Sequence, residues 1–137
     1  MFFKKFKNKD EDHSLLKVGA LLIHAARIDE NYSNHEEQII KQTLLKIGAT
    51  DNNVDNILEK ASKIEKDSNQ ILDFTKEVKN MNVESKIKII ESLWQIIYSN
   101  KEADIYETNL MRRLAGLLYI DSKIMGDIKE KIKNQNL

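Results

Sequence analysis

Two short stretches hold most of the oxygen atoms with which this chain could bind something. Residues 29–36 read Asp29, Glu30, Asn31, Tyr32, Ser33, Asn34, His35, Glu36, and residues 100–107 read Asn100, Lys101, Glu102, Ala103, Asp104, Ile105, Tyr106, Glu107. A hard cation such as Ca²⁺ or Mg²⁺ needs several oxygens converging on one point. Asp29, Glu30, Asn31, Ser33 and Glu36 offer them from the first stretch, and Asn100, Glu102, Asp104 and Glu107 from the second. Neither is an EF-hand, which needs twelve loop positions with glycine at the sixth. The same residues also read as helix starts. In Ser33-x-x-Glu36 and Asp104-x-x-Glu107 the first side chain accepts from an orphan amide and the glutamate reaches back, a capping box in both cases. Carboxylates there meet the positive end of the helix dipole. Two readings therefore stand side by side: capping alone, or capping with a cation.

Other chemistries lack their parts. There is no cysteine, hence no thiolate nucleophile, no thiolate metal site and no disulfide frame. His13, His24 and His35 show no His-x-x-x-His spacing, so a zinc hydrolase site is not supported. His24 falls within an apolar helix and reads as a hydrogen-bonded, partly buried residue. No Gly-x-Ser-x-Gly elbow and no glycine-rich phosphate loop occur. With no acid–base pair or nucleophile to name, an enzyme is not expected.

Two basic features remain. Arg112 and Arg113 suit either an acidic partner or an ion pair within the fold. Residues 2–9 carry Lys4, Lys5, Lys7 and Lys9 among Phe2, Phe3 and Phe6. As a helix this segment puts its aromatics to one side, a pattern suited to weak peripheral contact with an anionic membrane. Otherwise residues 1–13 read as a flexible basic and aromatic tail before a helical domain at residues 14–135.

Positioning the two acidic stretches falls to helices. The 137 residues are one domain's worth of chain, and 41% hydrophobic against 32% charged describes a globular protein. Proline is absent and glycine occurs only 4 times, which argues against turn-rich sandwiches and barrels. The 22 basic and 22 acidic residues cancel, so the electrostatic footprint of a nucleic-acid binder is missing and no such partner is expected. No apolar run spans a bilayer and no secretory signal pattern opens the chain, so a cytoplasmic location is expected.

Helical periodicity predicts about seven helices, over roughly residues 15–27, 36–47, 51–65, 68–81, 83–97, 105–118 and 122–132. Ser68 is expected to cap the fourth, Asn82 to start the fifth and Asp121 to cap the last. The first and fifth are apolar on two sides. Leu15, Val18, Leu22 and Ala25 run beside Leu16, Gly19, Ile23 and Ala26, and Val83, Ile87, Ile90, Trp94 and Ile97 run beside Ile89, Leu93 and Ile96. Such helices belong at the centre of a bundle. Trp94 and Phe74 sit at core spacing.

The chain also resembles itself. Each half places an apolar helix before an acidic loop and a further helix after it, and Asp29 to Glu36 has the same spacing as Asn100 to Glu107. The fold expected is an all-α, single-domain bundle with internal pseudo-twofold duplication of a helix–loop–helix unit.

These residues carry a family resemblance. Residues 28–36 and 99–107 are similar to the paired Ala-Asp-Gly-x-hydrophobic-x-x-x-Glu pattern of the TerB-like tellurite-resistance family. Residues 93–98 before the second copy and 110–118 after it fit as well, and the likeness covers roughly residues 14–130. Glu30 and Lys101 stand where the pattern has glycine, and Asn100 stands where it has its second Asp. Loss of a residue free to adopt positive φ implies altered loops, and Lys101 adds positive charge beside the second one. The resemblance implies an all-α duplicated bundle, an acidic surface that binds divalent metal, and a protein partner in membrane-associated stress complexes. It implies no established enzymatic reaction.

The expected function is a non-enzymatic binding module. Asp29, Glu30 and Glu36, with Glu102, Asp104 and Glu107, would form an acidic patch at one end. The patch would either coordinate a divalent cation (Ca²⁺ or Mg²⁺) or dock a basic partner. The rival is a metal-free protein–protein scaffold brought to the inner membrane by its N-terminus.

Overall fold

A computed structural model describes residues 2–28, 33–68, 71–100 and 105–135. Among them are seven α-helices: α1 (Phe2–Arg27), α2 (Asn34–Lys46), α3 (Val54–Asp67), α4 (Leu72–Lys79), α5 (Val83–Ile97), α6 (Ile105–Leu117) and α7 (Ser122–Gln135). A single 3₁₀ turn, Tyr98–Asn100, follows α5. No strand occurs among the described residues, so the all-α fold is as the periodicity predicts.

The two doubly apolar helices are the central ones. In α1, Val18, Ala20, Leu21, Leu22, Ile23, Ala25 and Ala26 are all buried, which requires neighbours on every side. Helices α2, α3, α4 and α5 supply them. In α5, Ile89, Ile90, Leu93, Trp94, Ile96 and Ile97 are buried against α1, α2 and α7. Helix α6 packs on α4. Phe74 and Trp94 lie in the core. Tyr98 stacks on the indole of Trp94 at 5.9 Å, and the Lys129 ammonium lies 5.5 Å from the same ring.

Close approach of α1 to α3 depends on Gly19. A Cβ at that position would sit 2.9 Å from the Cβ of Ala61, below any normal carbon–carbon contact. At the C-terminal end of this contact, Glu65 on α3 accepts from Arg27, whose Nη2 also donates to Ser62 Oγ at 2.8 Å. Nδ1 of His24 is 3.5 Å from Glu65 Oε1, so His24 is a half-buried partner of a carboxylate, as its place in the sequence suggests. This cluster fixes the end of α1 where the first acidic loop begins.

Several helix ends match the sequence reading and two do not. Asn82 Oδ1 accepts from the Ser85 amide at 2.8 Å, and Asp121 Oδ1 from the Lys123 amide at 2.8 Å. Helix α1, expected from Leu15, instead begins at Phe2 and runs through the segment read as a tail. Residues 2–14 lack apolar periodicity but contain neither glycine nor proline, and extending a formed helix is far easier than nucleating one. His13 Nε2 is 3.5 Å from Glu77 Oε1 on α4. Ser68, expected to cap α4, instead terminates α3 through its amide to the Glu65 carbonyl, and its Oγ donates to Asp73.

Two helices end in the same bond pattern on different residues. After α2, the Ala49 amide reaches the Leu44 carbonyl past Gly48, at φ 135°. After α6, the Ile120 amide reaches the Ala115 carbonyl past Tyr119, at φ 56°. Glycine suits that left-handed position and tyrosine does not.

Candidate functional site

Helix α2 opens with a complete capping box. The Ser33 amide donates to Glu36 Oε1 at 3.0 Å, the Ser33 hydroxyl donates to the same oxygen at 3.0 Å, and the Glu36 amide donates back to Ser33 Oγ at 3.2 Å. Glu36 is only 2% exposed. The capping reading thus holds for the first stretch. Glu107, in the first turn of α6, is 4% exposed. Asp29, Glu30, Glu102 and Asp104 lie outside the described residues, as does the Asp104 half of the second capping box.

Burial of both glutamates is a strong constraint. A carboxylate removed from water keeps its charge only with hydrogen-bond donors or a positive partner beside it. For Glu36 the Ser33 amide and hydroxyl provide two donors. The helix N-termini add a favourable dipole at both residues.

One feature of the tertiary structure joins the two halves here. Ile28, the last residue before Asp29, lines a cavity of about 430 Å³ together with Tyr106, Asn109, Leu110 and Arg113 from the first turns of α6. The end of α1 and the start of α6 are therefore neighbours. Asp29 follows Ile28 directly in the chain, and Asp104 directly precedes the first residue of α6. Tyr106 is 72% exposed at the rim. Arg113 is also exposed and stands on the cavity wall. Sequence reasoning singled out Arg113 as a cation without a location and gave Ile28 and Tyr106 no role beyond the repeat pattern. Their shared cavity is a property of helix packing, and the only hint of it was the equal spacing of the two stretches.

The six candidate ligands Asp29, Glu30, Glu36, Glu102, Asp104 and Glu107 are all carboxylates, which suits hard cations. Among the described residues no group of three or more His, Cys, Asp or Glu side chains converges as a metal site. No helix among them is long and apolar enough to cross a membrane.

Neither the curated proteins nor the solved structures compared with the chain gave a significant match. The family model described as Tellurite resistance protein TerB, in contrast, matches residues 15–130. That stretch runs from the buried part of α1 into α7 and takes in both acidic loops. The chain belongs to the TerB family.

Proposed function

We propose that this chain is a non-enzymatic TerB-family binding module whose two acidic loops form one pole that takes up a divalent cation. The observation that carries the proposal is the cavity shared by Ile28 and the first turns of α6. It brings the chain positions flanking both loops to the same part of the molecule. The proposal takes the two halves as copies of one helix–loop–helix unit. Asp29, Glu30 and Glu36 from one copy, with Glu102, Asp104 and Glu107 from the other, would hold the ion. A Ca²⁺ or Mg²⁺ there supplies positive charge that offsets the crowded carboxylates and fixes the loops against each other.

Calorimetric titration of the full chain with Ca²⁺, Mg²⁺ and Mn²⁺, paired with melting curves at millimolar metal, tests this. Heat of binding is expected with a rise in Tm, since a ligand of the folded state alone stabilises it. Glu107→Gln should weaken affinity at least tenfold while the circular dichroism stays helical. Flat titrations and an unmoved Tm would overturn the cation reading and leave docking of a basic partner at the same pole.

A second reading rests on α1 reaching Phe2. A helical segment carrying Phe2, Phe3 and Phe6 among Lys4, Lys5, Lys7 and Lys9 supports a scaffold held weakly at an anionic membrane. Co-sedimentation with phosphatidylglycerol vesicles, with and without residues 1–10, tests it. Equal pelleting of the two forms removes that reading.

A further inference from the structure

Away from the acidic pole, α4 and the C-terminal end of α6 enclose a groove of about 290 Å³ lined by Leu72, Thr75, Lys76, Lys79, Gly116, Leu117 and Tyr119. Its composition is one-sided. Two lysines stand on it, no carboxylate lines it among the described residues, and Leu72 and Tyr119 are exposed at 45% and 73%. The floor at Gly116 is open, because a Cβ added there meets nothing within 4 Å.

Tyr119 is the unusual member. It holds the left-handed position that ends α6, at φ 56°, which an L side chain adopts only at a cost. The ring recovers little of that by packing, since it is mostly in solvent. The Lys79 ammonium lies 5.4 Å from its ring centre. Strain kept at an exposed aromatic beside a cleft is a mark of a binding surface. Lys86 sharpens the charge argument. Buried beneath the helix end, it donates from Nζ to the Leu118 carbonyl at 3.0 Å and so answers the negative end of the α6 dipole. That carbonyl is thus answered from inside the fold, while Lys76 is exposed and Lys79 half-buried on the groove.

We propose that this α4–α6 groove docks an acidic peptide segment of a partner protein, which inserts an apolar side chain between Leu72, Leu117 and Tyr119 while its carboxylates meet Lys76 and Lys79. The site is independent of the cation pole, so its test is run in EDTA and stands whether or not the metal reading survives.

The probe is a phage-displayed library of random dodecapeptides selected on the immobilised full chain, with recovered peptides measured by fluorescence polarisation. Recovered sequences should place Asp or Glu beside a large apolar residue, and binding should weaken with salt. Gly116→Leu, whose added Cβ meets nothing within 4 Å, should keep or raise Tm and weaken peptide binding at least tenfold. Lys76→Glu combined with Lys79→Glu should do the same to binding. Tyr119→Gly should raise Tm and still lose several-fold in affinity, a pairing that a merely structural tyrosine would not give. The proposal is overturned by an empty selection, by peptides that are neutral or basic, or by peptides that bind these variants as tightly as the parent. It is equally overturned if the protein ignores such peptides but pellets with phosphatidylglycerol vesicles through Lys76 and Lys79, which would assign the groove to a membrane.

Discussion

Gly19→Ala places a methyl group where α1 and α3 touch. The new Cβ would lie 2.9 Å from Ala61 Cβ and 3.8 Å from Leu44 Cδ1. Carbon atoms prefer about 3.5–4.0 Å, so the second contact is ordinary and the first forces the helices apart by roughly half an ångström or more. Neither partner can rotate away, since both atoms are Cβ atoms fixed to their backbones. Overpacking of this kind costs about 1–3 kcal/mol. Against it stands the better helix propensity of alanine, about 0.8–1 kcal/mol. The net expectation is a loss of up to about 2 kcal/mol, or a fall of up to roughly 8 °C in Tm for a domain of this size. Urea unfolding is the assay, followed through Trp94, which is the only tryptophan and is buried. Gly126→Ala in α7 is the control, because nothing lies within 4 Å of its added Cβ. That variant should gain about 0.5–1 kcal/mol from propensity alone. Removing the opposing methyl completes a cycle. Ala61→Gly alone should cost about 1 kcal/mol, and the double variant should exceed the sum of the singles by about 1–3 kcal/mol. A Gly19→Ala protein that gains stability as Gly126→Ala does, or a coupling within about 0.5 kcal/mol of zero, refutes the close-contact account.

Three further outcomes can be read in the same assay. Ser33→Ala removes the acceptor for the Glu36 amide and one of the two donors to the buried Glu36 carboxylate, so a loss of about 1–2 kcal/mol is expected in urea, and a loss below about 0.3 kcal/mol would count against the box. Between α2 and α5 the Thr43 hydroxyl donates to the Ile39 carbonyl at 2.9 Å and is also bonded to Ser92; Thr43→Val strands the Ser92 hydroxyl and should cost about 1–3 kcal/mol, whereas Ser92→Ala leaves Thr43 a partner and should cost about 0.5–1.5 kcal/mol, in that order. Burial, with the charge of Glu130 adding to it, holds the Tyr98 phenol above its ordinary value of 10.0. The unfolded chain then loses this proton first, so the contribution is intact below about pH 10 and drains away as pH rises towards the folded value. Tyr98→Phe should flatten the alkaline limb of the stability profile above pH 10, and equal limbs in both proteins would refute the assignment.

The helices were legible because each apolar stripe is local information. Ile89, Leu93 and Ile96 announce a second buried side of α5 without reference to the rest of the molecule, and Asn82 and Asp121 carry their capping acceptors in their own side chains. The start of α1 was not legible, because residues 2–14 become helical by continuing a helix whose stability lies elsewhere. Ser68 misled because the same hydroxyl residue suits the end of one helix as well as the start of the next. At the candidate site, Glu36 and Glu107 were recognisable from helix-start spacing, and the Ser33 bonds bear that out for Glu36. That Ile28 would line one cavity with Tyr106 and Leu110 depends on how the helices pack in three dimensions, which no window of sequence encodes. The α4–α6 groove was invisible for the same reason: Lys76 and Lys79 are far from Tyr119 in the chain, and the three carry no motif.

The place of α1 in the bundle sets a problem for the cell before the protein is finished. Its apolar sides are covered by α2, α3, α4 and α5, and the last of these ends at Ile97. A ribosome adding about 5–20 residues per second therefore releases the first helix roughly 4–14 s before its last cover has been translated. During that interval the segment around Val18 to Ala26 is a sticky amphiphile in a crowded compartment. Nascent chains stalled before α5 should be clients of holding chaperones, and those stalled beyond it should escape them.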